Sequence, residues 1–215
     1  MNKPRKLFSL LCMLMALTVS AQCRYCLSYN DFVGNRWETV DSIDVVRASK
    51  GHKFLWGGGD FTISGTDKAT CKMLRSSAFA VIANNKLYVN CKDLKYKKII
   101  FGKGFSRALS LGNRGLIFVG IDSKTAAYAR NGGAIGGGVA ATQEDGRICY
   151  LISKGFDGKR FIEVSPVDDE FMSKLLADQP ELLEKYNSET NPSERVHPNR
   201  IFSILKKSGY VEDLK

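Results

Sequence analysis

Phe79-Ala-Val-Ile-Ala83, then Asn84-Asn85, then Lys86-Leu-Tyr-Val-Asn90: this stretch decides the fold. Two short runs of apolar, β-branched and aromatic residues flank a pair of asparagines. Asparagine tolerates positive φ, so the pair reads as the turn of a β-hairpin, a weaker signal than Asn-Gly. Similar runs lie on both sides. Ser42 to Ala48 and Phe61 to Ser64 have strand character, with Trp56-Gly-Gly-Gly-Asp60 as a turn before the second. Lys98 to Phe101 and Gly115 to Ile121 read as further strands. Arg147 to Ser153 and Arg160 to Val164 flank Gly155-Phe-Asp-Gly158, whose Asp-Gly is a turn dipeptide. Connections this short favour antiparallel pairing, because parallel strands need long crossovers.

The pattern changes at Pro166. Ser165 to Glu170 has helix-start chemistry, with Asp168-Asp-Glu170 placed where a helix N-terminus welcomes negative charge. Phe171, Leu175 and Leu176 repeat at helical spacing. Pro180 suits the first turn of another helix, with Asp178 as its cap, and Leu182, Leu183 and Tyr186 give it an apolar face. Residues 187–199 read as a loop, and Ile201 to Lys207 as a last short helix with Gly209 near its C-cap. Near the other end, Tyr29 to Trp37 is an opening segment in which Asn30 or Asp31 caps a helical turn. The expected fold class is α+β: a predominantly antiparallel, strand-rich body over residues 22–165 and a helical segment of the same domain over 166–215.

Residues 1–21 have the order of a secretory signal peptide. Lys3, Arg5 and Lys6 precede an apolar stretch from Leu7 to Val19, and Val19-Ser20-Ala21 offers small or short side chains to a signal peptidase. The expected cut falls between Ala21 and Gln22. The apolar stretch is shorter than the roughly 20 residues that a membrane span needs. Gln22 before Cys23 argues against lipidation of that cysteine. No later stretch is apolar enough to span a bilayer, so the expected location is the periplasm, the envelope surface or the medium.

Cleavage removes three of the 32 basic residues and none of the 22 acidic ones, leaving a net charge of +7. Such a surplus suits an acidic partner, either an envelope surface or a protein, although a solvated basic surface is the commoner reason for it. Cys23, Cys26, Cys71, Cys91 and Cys149 remain, an odd number that allows at most two disulfides. Cys23-Arg24-Tyr25-Cys26 spells C-x-x-C but lacks the strand–helix context of a redox motif, and no second ligand pair completes a zinc site.

Five features resemble a family of small exported proteins of Bacteroides-type bacteria, labelled as a domain of unknown function. They are Tyr29-Asn-Asp-Phe32, the run from Ser77 to Cys91, Phe101-Gly-Lys-Gly-Phe105, Gly132-Gly-Ala-Ile-Gly-Gly-Gly138, and Leu175 to Leu183 with Tyr186. In that order they cover nearly all of the chain after the signal. The resemblance implies export in such a bacterium and a strand-rich body with a helical tail, and brings no catalytic residue.

Candidate chemistry is sparse. Gly102-Lys-Gly104 lacks the next glycine of a dinucleotide fingerprint, no phosphate-loop motif occurs, and Gly57-Gly-Gly59 precedes Asp60 rather than a basic residue. These segments read as turns. The run containing Gly132, Gly133, Gly136, Gly137 and Gly138 has small-residue spacing but too short an apolar stretch for a membrane interface. It reads first as a loop and second as a segment that contacts lipid or a partner. The chain has two histidines, His52 in a polar turn and His197 in a loop, neither near a nucleophile elbow. No cofactor is implied. The expected function is a non-catalytic envelope or secreted binding module. The alternative is a small envelope hydrolase or thiol-redox enzyme. A pocket setting a histidine beside Cys, Ser or Asp would favour the enzyme.

Overall fold

The computed structural model describes residues 23–56, 59–122, 125 and 146–212. The expected cleavage point at Ala21 and Gln22 lies outside the described residues, as do Gly132, Gly133, Gly136, Gly137 and Gly138. The strands of the first half are β1 (Cys23–Cys26), β2 (Glu38–Val40), β3 (Ile43–Arg47), β4 (Phe61–Gly65), β5 (Ala80–Ala83) and β6 (Lys86–Asn90). They are followed by β7 (Leu94–Tyr96), β8 (Ile99–Ile100), β9 (Phe105–Ser110), β10 (Leu116–Ile121), β11 (Arg147–Ile152), β12 (Ile162–Glu163) and β13 (Ser165–Pro166). Helices α1 (Tyr29–Val33), α2 (Lys50–Trp56) and α3 (Lys68–Ser76) interrupt the first strands. Helices α4 (Asp169–Leu175), α5 (Pro180–Asn187), α6 (Pro192–Arg195) and α7 (Pro198–Lys207) close the chain.

The hairpin read from the sequence is the centre of a ten-stranded sheet. Ala80 faces Val89 and Ala83 faces Lys86 across β5 and β6. Asn84 and Asn85 have φ of 51° and 55°, the left-handed pair that a two-residue hairpin needs. The sheet runs β13-β11-β10-β9-β6-β5-β1-β2, and β4 joins the start of β9 at Phe61 and Phe105 and carries β3 on its other edge. Every pairing in this sheet is antiparallel. The protein is α+β, with an extensive antiparallel sheet and C-terminal helices.

The apolar runs lack polar alternation because the sheet is covered on both faces. Along β10, Leu116 and Phe118 enter one cluster with Phe101, Tyr150 and Ile152, while Ile117 between them enters another with Met172, Tyr186, Ile201 and Leu205. Along β5 and β6, Val81, Ala83 and Tyr88 turn to a third cluster with Ile43, Ile63 and Leu74. Each large side chain so buried contributes roughly 1.5–3 kcal/mol. Helices α4, α5 and α7 thus pack on one face, and β3, β4 and α3 cover the rest of it.

Several expectations need correction. The segment after the Asp157-Gly158 turn does not return along β11. Ile162 pairs parallel with Leu94 in a separate three-stranded sheet, β12-β7-β8, and β11 pairs with β13 instead. Ile162 and Val164 share one side of the chain, and that side is buried against Leu94 and Phe101. Ser28, rather than Asn30 or Asp31, caps α1: its hydroxyl accepts from Asp31 N at 3.1 Å and donates to the Asp31 carboxylate at 2.6 Å. Gln179 stands at the N-cap of α5, while Asp178 accepts from the Tyr210 hydroxyl. Residues 192–195 form α6 inside the expected loop, started by Asn191, whose side chain accepts from Ser193 N. His197 caps α7, with Nδ1 accepting from Asn199 N at 3.4 Å.

Candidate functional site

The C-x-x-C pair is itself strand β1. Successive strand residues point to opposite faces, so positions i and i+3 face apart. Cys23 packs with Ile43, Ile63 and Leu74, and Cys26 packs across the sheet with Tyr29 and Phe79. A bridge between them would require β1 to leave both its partners. All five described cysteines are free. Burial pushes the Cys26 and Cys91 thiols up to about 12 and the Cys149 thiol higher still, so at neutral pH they are inert apolar fillers. Cys71 ties α3 to β4, donating to Gly65 O at 3.3 Å and accepting from Gly65 N at 3.2 Å.

Polar side chains converge elsewhere, in a groove of about 620 Å³ between α2, α3, β4 and the turn into β9. Helix α3 begins at Asp67, whose carboxylate accepts from Ala69 N at 2.7 Å and Thr70 N at 2.9 Å. Its Leu74 is fully buried. Lys72, Arg75 and Ser76 stand at i, i+3 and i+4, one face of the helix, and that face lines the groove. Lys92 comes from the segment after β6, Lys103 from the turn before β9, and His52 from α2. His52 therefore sits on a helix, not in the expected polar turn. Ile63 and Phe105, each 1% exposed, form the floor.

Two of these cations are held in place by neutral acceptors. Arg75 Nε donates to Ile63 O at 2.8 Å. Lys92 Nζ donates to Ser76 O at 3.2 Å. The end of α3 is locked in turn by buried Asn90, whose amide donates to Arg75 O at 3.2 Å and Ala78 O at 3.0 Å, and whose Oδ1 accepts from Lys92 N. The backbone behind Phe105 needs glycine. Gly104 has φ of 100°, and a Cβ on Gly59 would lie 2.2 Å from Phe105 O. Among the described residues no carboxylate pairs with Lys72, Arg75 or Lys92, and none lines the groove.

Behind the groove the charges are matched differently. Asp60, at the head of β4, accepts from Lys53 Nζ at 2.6 Å and Arg147 Nη2 at 3.1 Å, with the two cationic side chains only 5% and 8% exposed. This cluster fixes α2, β4 and the start of β11 to one another. A larger groove of about 730 Å³ elsewhere carries both Arg24 and Glu212 in its lining, along with Trp37. Trp37 itself meets Phe32 edge-on at 6.1 Å.

The alternative of a hydrolase asked for a pocket that sets a histidine beside Cys, Ser or Asp. His52 and Ser76 line the same groove, but Ser76 Oγ donates to Lys72 O at 2.6 Å, inside its own helix. Among the described residues no three His, Cys, Asp or Glu side chains gather as a metal site. The donors present, lysine and arginine, suit oxyanions. Sequence reading missed this site because Lys72 and Arg75 lie on helix α3 while Lys92 and Lys103 lie in two separate turns further along the chain; the one available signal was the basic balance of the whole chain. Asp168-Asp-Glu170 caps α4 as expected, Asp168 accepting from Phe171 N at 3.0 Å.

Among the described residues no helix is long and apolar enough to cross a membrane. No curated protein and no solved structure matches the chain. The profile of a family of unknown function, DUF6563, matches residues 24–212, from β1 past the end of α7, and the chain belongs to that family.

Proposed function

We propose that this is an exported, non-catalytic binding module of a bacterial envelope, and that what it holds is acidic. The observation that carries the reading is the convergence of Lys72, Arg75, Lys92 and Lys103 on a groove whose described lining has no carboxylate. Like charges brought together repel, and a fold keeps them together at some cost unless an anion settles among them. The order of residues 1–21 supports export, and the basic balance suits an acidic surface. Turnover has less support, since the β1 cysteines face apart and the groove serine is bonded within its helix.

Fractionation of a native host tests this. The expected protein begins at Gln22, is found outside the cytoplasm, and leaves the envelope fraction in about 1 M salt, where charges are screened beyond about 3 Å. A cytoplasmic protein that keeps Met1 overturns the reading. So does envelope retention that salt does not change.

A further inference from the structure

We propose that the groove between α3 and β4 takes phosphomonoester groups carried on a sugar. This rests on the binding-module reading, and it names the ligand class. A phosphomonoester carries a charge of about −1.5 to −2 at neutral pH and three acceptor oxygens. Arg75 is prepared for such a group. Its Nε is engaged on Ile63 O, which sets the plane of the guanidinium, and among the described residues its two terminal nitrogens have no partner. A fixed plane with two parallel donors is the geometry that receives an oxyanion in bidentate fashion. Lys92 is anchored on the last carbonyl of the same helix face, with Lys72 one turn back. The lysines act as point charges around the arginine fork.

Size and lining choose the rest of the ligand. A volume of about 620 Å³ exceeds what a free phosphate fills and lies within the usual range of small-molecule sites. Thr62 and Ser76 stand in the lining; their hydroxyls donate to Val46 O at 3.4 Å and Lys72 O at 2.6 Å, and each keeps a lone pair to accept from a sugar hydroxyl. Among the described lining residues the rings are His52 and Phe105, and Phe105 is 1% exposed, so a base would have the small imidazole alone to stack on. Stacking supplies much of the affinity for single-stranded nucleic acid, so a phosphosugar fits better than an oligonucleotide. The same chemistry exists free in solution and as the head group of a lipid.

Calorimetric titration of the exported protein tests this with five probes: a glucose bisphosphate, glucose, inorganic phosphate, a single-stranded oligonucleotide, and phosphatidylcholine vesicles doped with phosphoinositide. The expected result is binding of the bisphosphate, none of glucose, and weaker binding of phosphate. Vesicle binding without binding of the free sugar assigns the lipid-borne source, and the reverse assigns the soluble one. The double variant Arg75→Met, Lys92→Met is expected to weaken binding at least about tenfold, with Lys159→Met, outside the groove, unchanged. Lys72→Met is the second variant should the double one fold poorly. Failure of both phosphosugar forms to bind, binding that groove variants leave unchanged, or tighter binding of phosphate or oligonucleotide overturns the proposal. If salt still releases the protein from the envelope in those cases, the module reading stands and another surface carries it.

Discussion

Two clusters of cations, one buried and one lining the groove, are treated in opposite ways. Lys53 and Arg147 are buried, and both reach the carboxylate of Asp60. Lys72, Arg75 and Lys92 face a groove, and those of them that are anchored rest on carbonyl oxygens. Water explains the first arrangement. A charge removed from solvent needs a counter-charge, or the fold is lost. Solvent reaches the groove and tolerates bare charge there, so nothing in folding requires the cations to converge. What folding does not require, a ligand can explain.

The sharpest way to break this comparison is to remove the carboxylate from the buried cluster. Asp60→Ala takes from two buried cations the carboxylate they share, and the expected loss is about 3–5 kcal/mol in urea unfolding. Changing Asp60→Leu together with Lys53→Met is expected to recover part of that loss, because it also deletes one of the two buried cations. A loss under about 1 kcal/mol for Asp60→Ala would show that water reaches the cluster, and the contrast with the groove would fail.

A smaller effect is expected where pairing is half exposed. Asp169 accepts from the Tyr186 hydroxyl at 2.6 Å and from Arg195 at 2.9 and 3.0 Å. Those bonds, the Tyr186 hydroxyl first and the Arg195 guanidinium after it, hold its carboxyl below the ordinary 3.8. A carboxyl lowered by folding stabilises the fold fully above its unfolded value and ceases to do so as pH falls through the folded one. Asp169→Asn is therefore expected to cost about 1 kcal/mol near neutral pH. Wild type and variant should converge in acid, below 3.8. A difference that persists unchanged in acid would mean that shape, not charge, joins α4 to α6.

The contrast between the clusters also explains what could be read in advance. The β5–β6 hairpin was legible because both signals are local: short apolar runs and two asparagines at positive φ. The helical tail was legible for the same reason, since Leu175, Leu176, Leu182 and Leu183 repeat at close spacing. Helices α2 and α3 were not. Helix α3 is nine residues long and commits one fully buried residue, Leu74, to the core, a shorter run than the roughly 11–18 residues over which periodicity is read. Strand β1 was hidden by its C-x-x-C spelling, which directs attention to chemistry and away from alternation. The groove was illegible because its cations approach only when β6 returns beside the end of α3, a contact made by Asn90. The segment holding the glycine run lies outside the described residues.

The smallest effects are expected at the two histidines, and they separate charge from its surroundings. His197 caps α7 through Nδ1, so His197→Ala is expected to cost at most about 0.5–1 kcal/mol, the ordinary worth of a cap. His52 shares the groove with the cations, while the fixed positive charge there comes from lysine and arginine. If the groove works by holding an anion, His52→Ala keeps those charges and should leave envelope retention intact. If the groove were an active site, the same substitution would remove its general base and abolish function in a protein that folds and is exported normally. The measurement is a localisation and fitness assay on both variants, with thermal unfolding as the control for folding. Loss of function in His52→Ala with stability and export unchanged would transfer the groove from binding to turnover, with Ser76 then having to leave its bond to Lys72 O to act as the nucleophile.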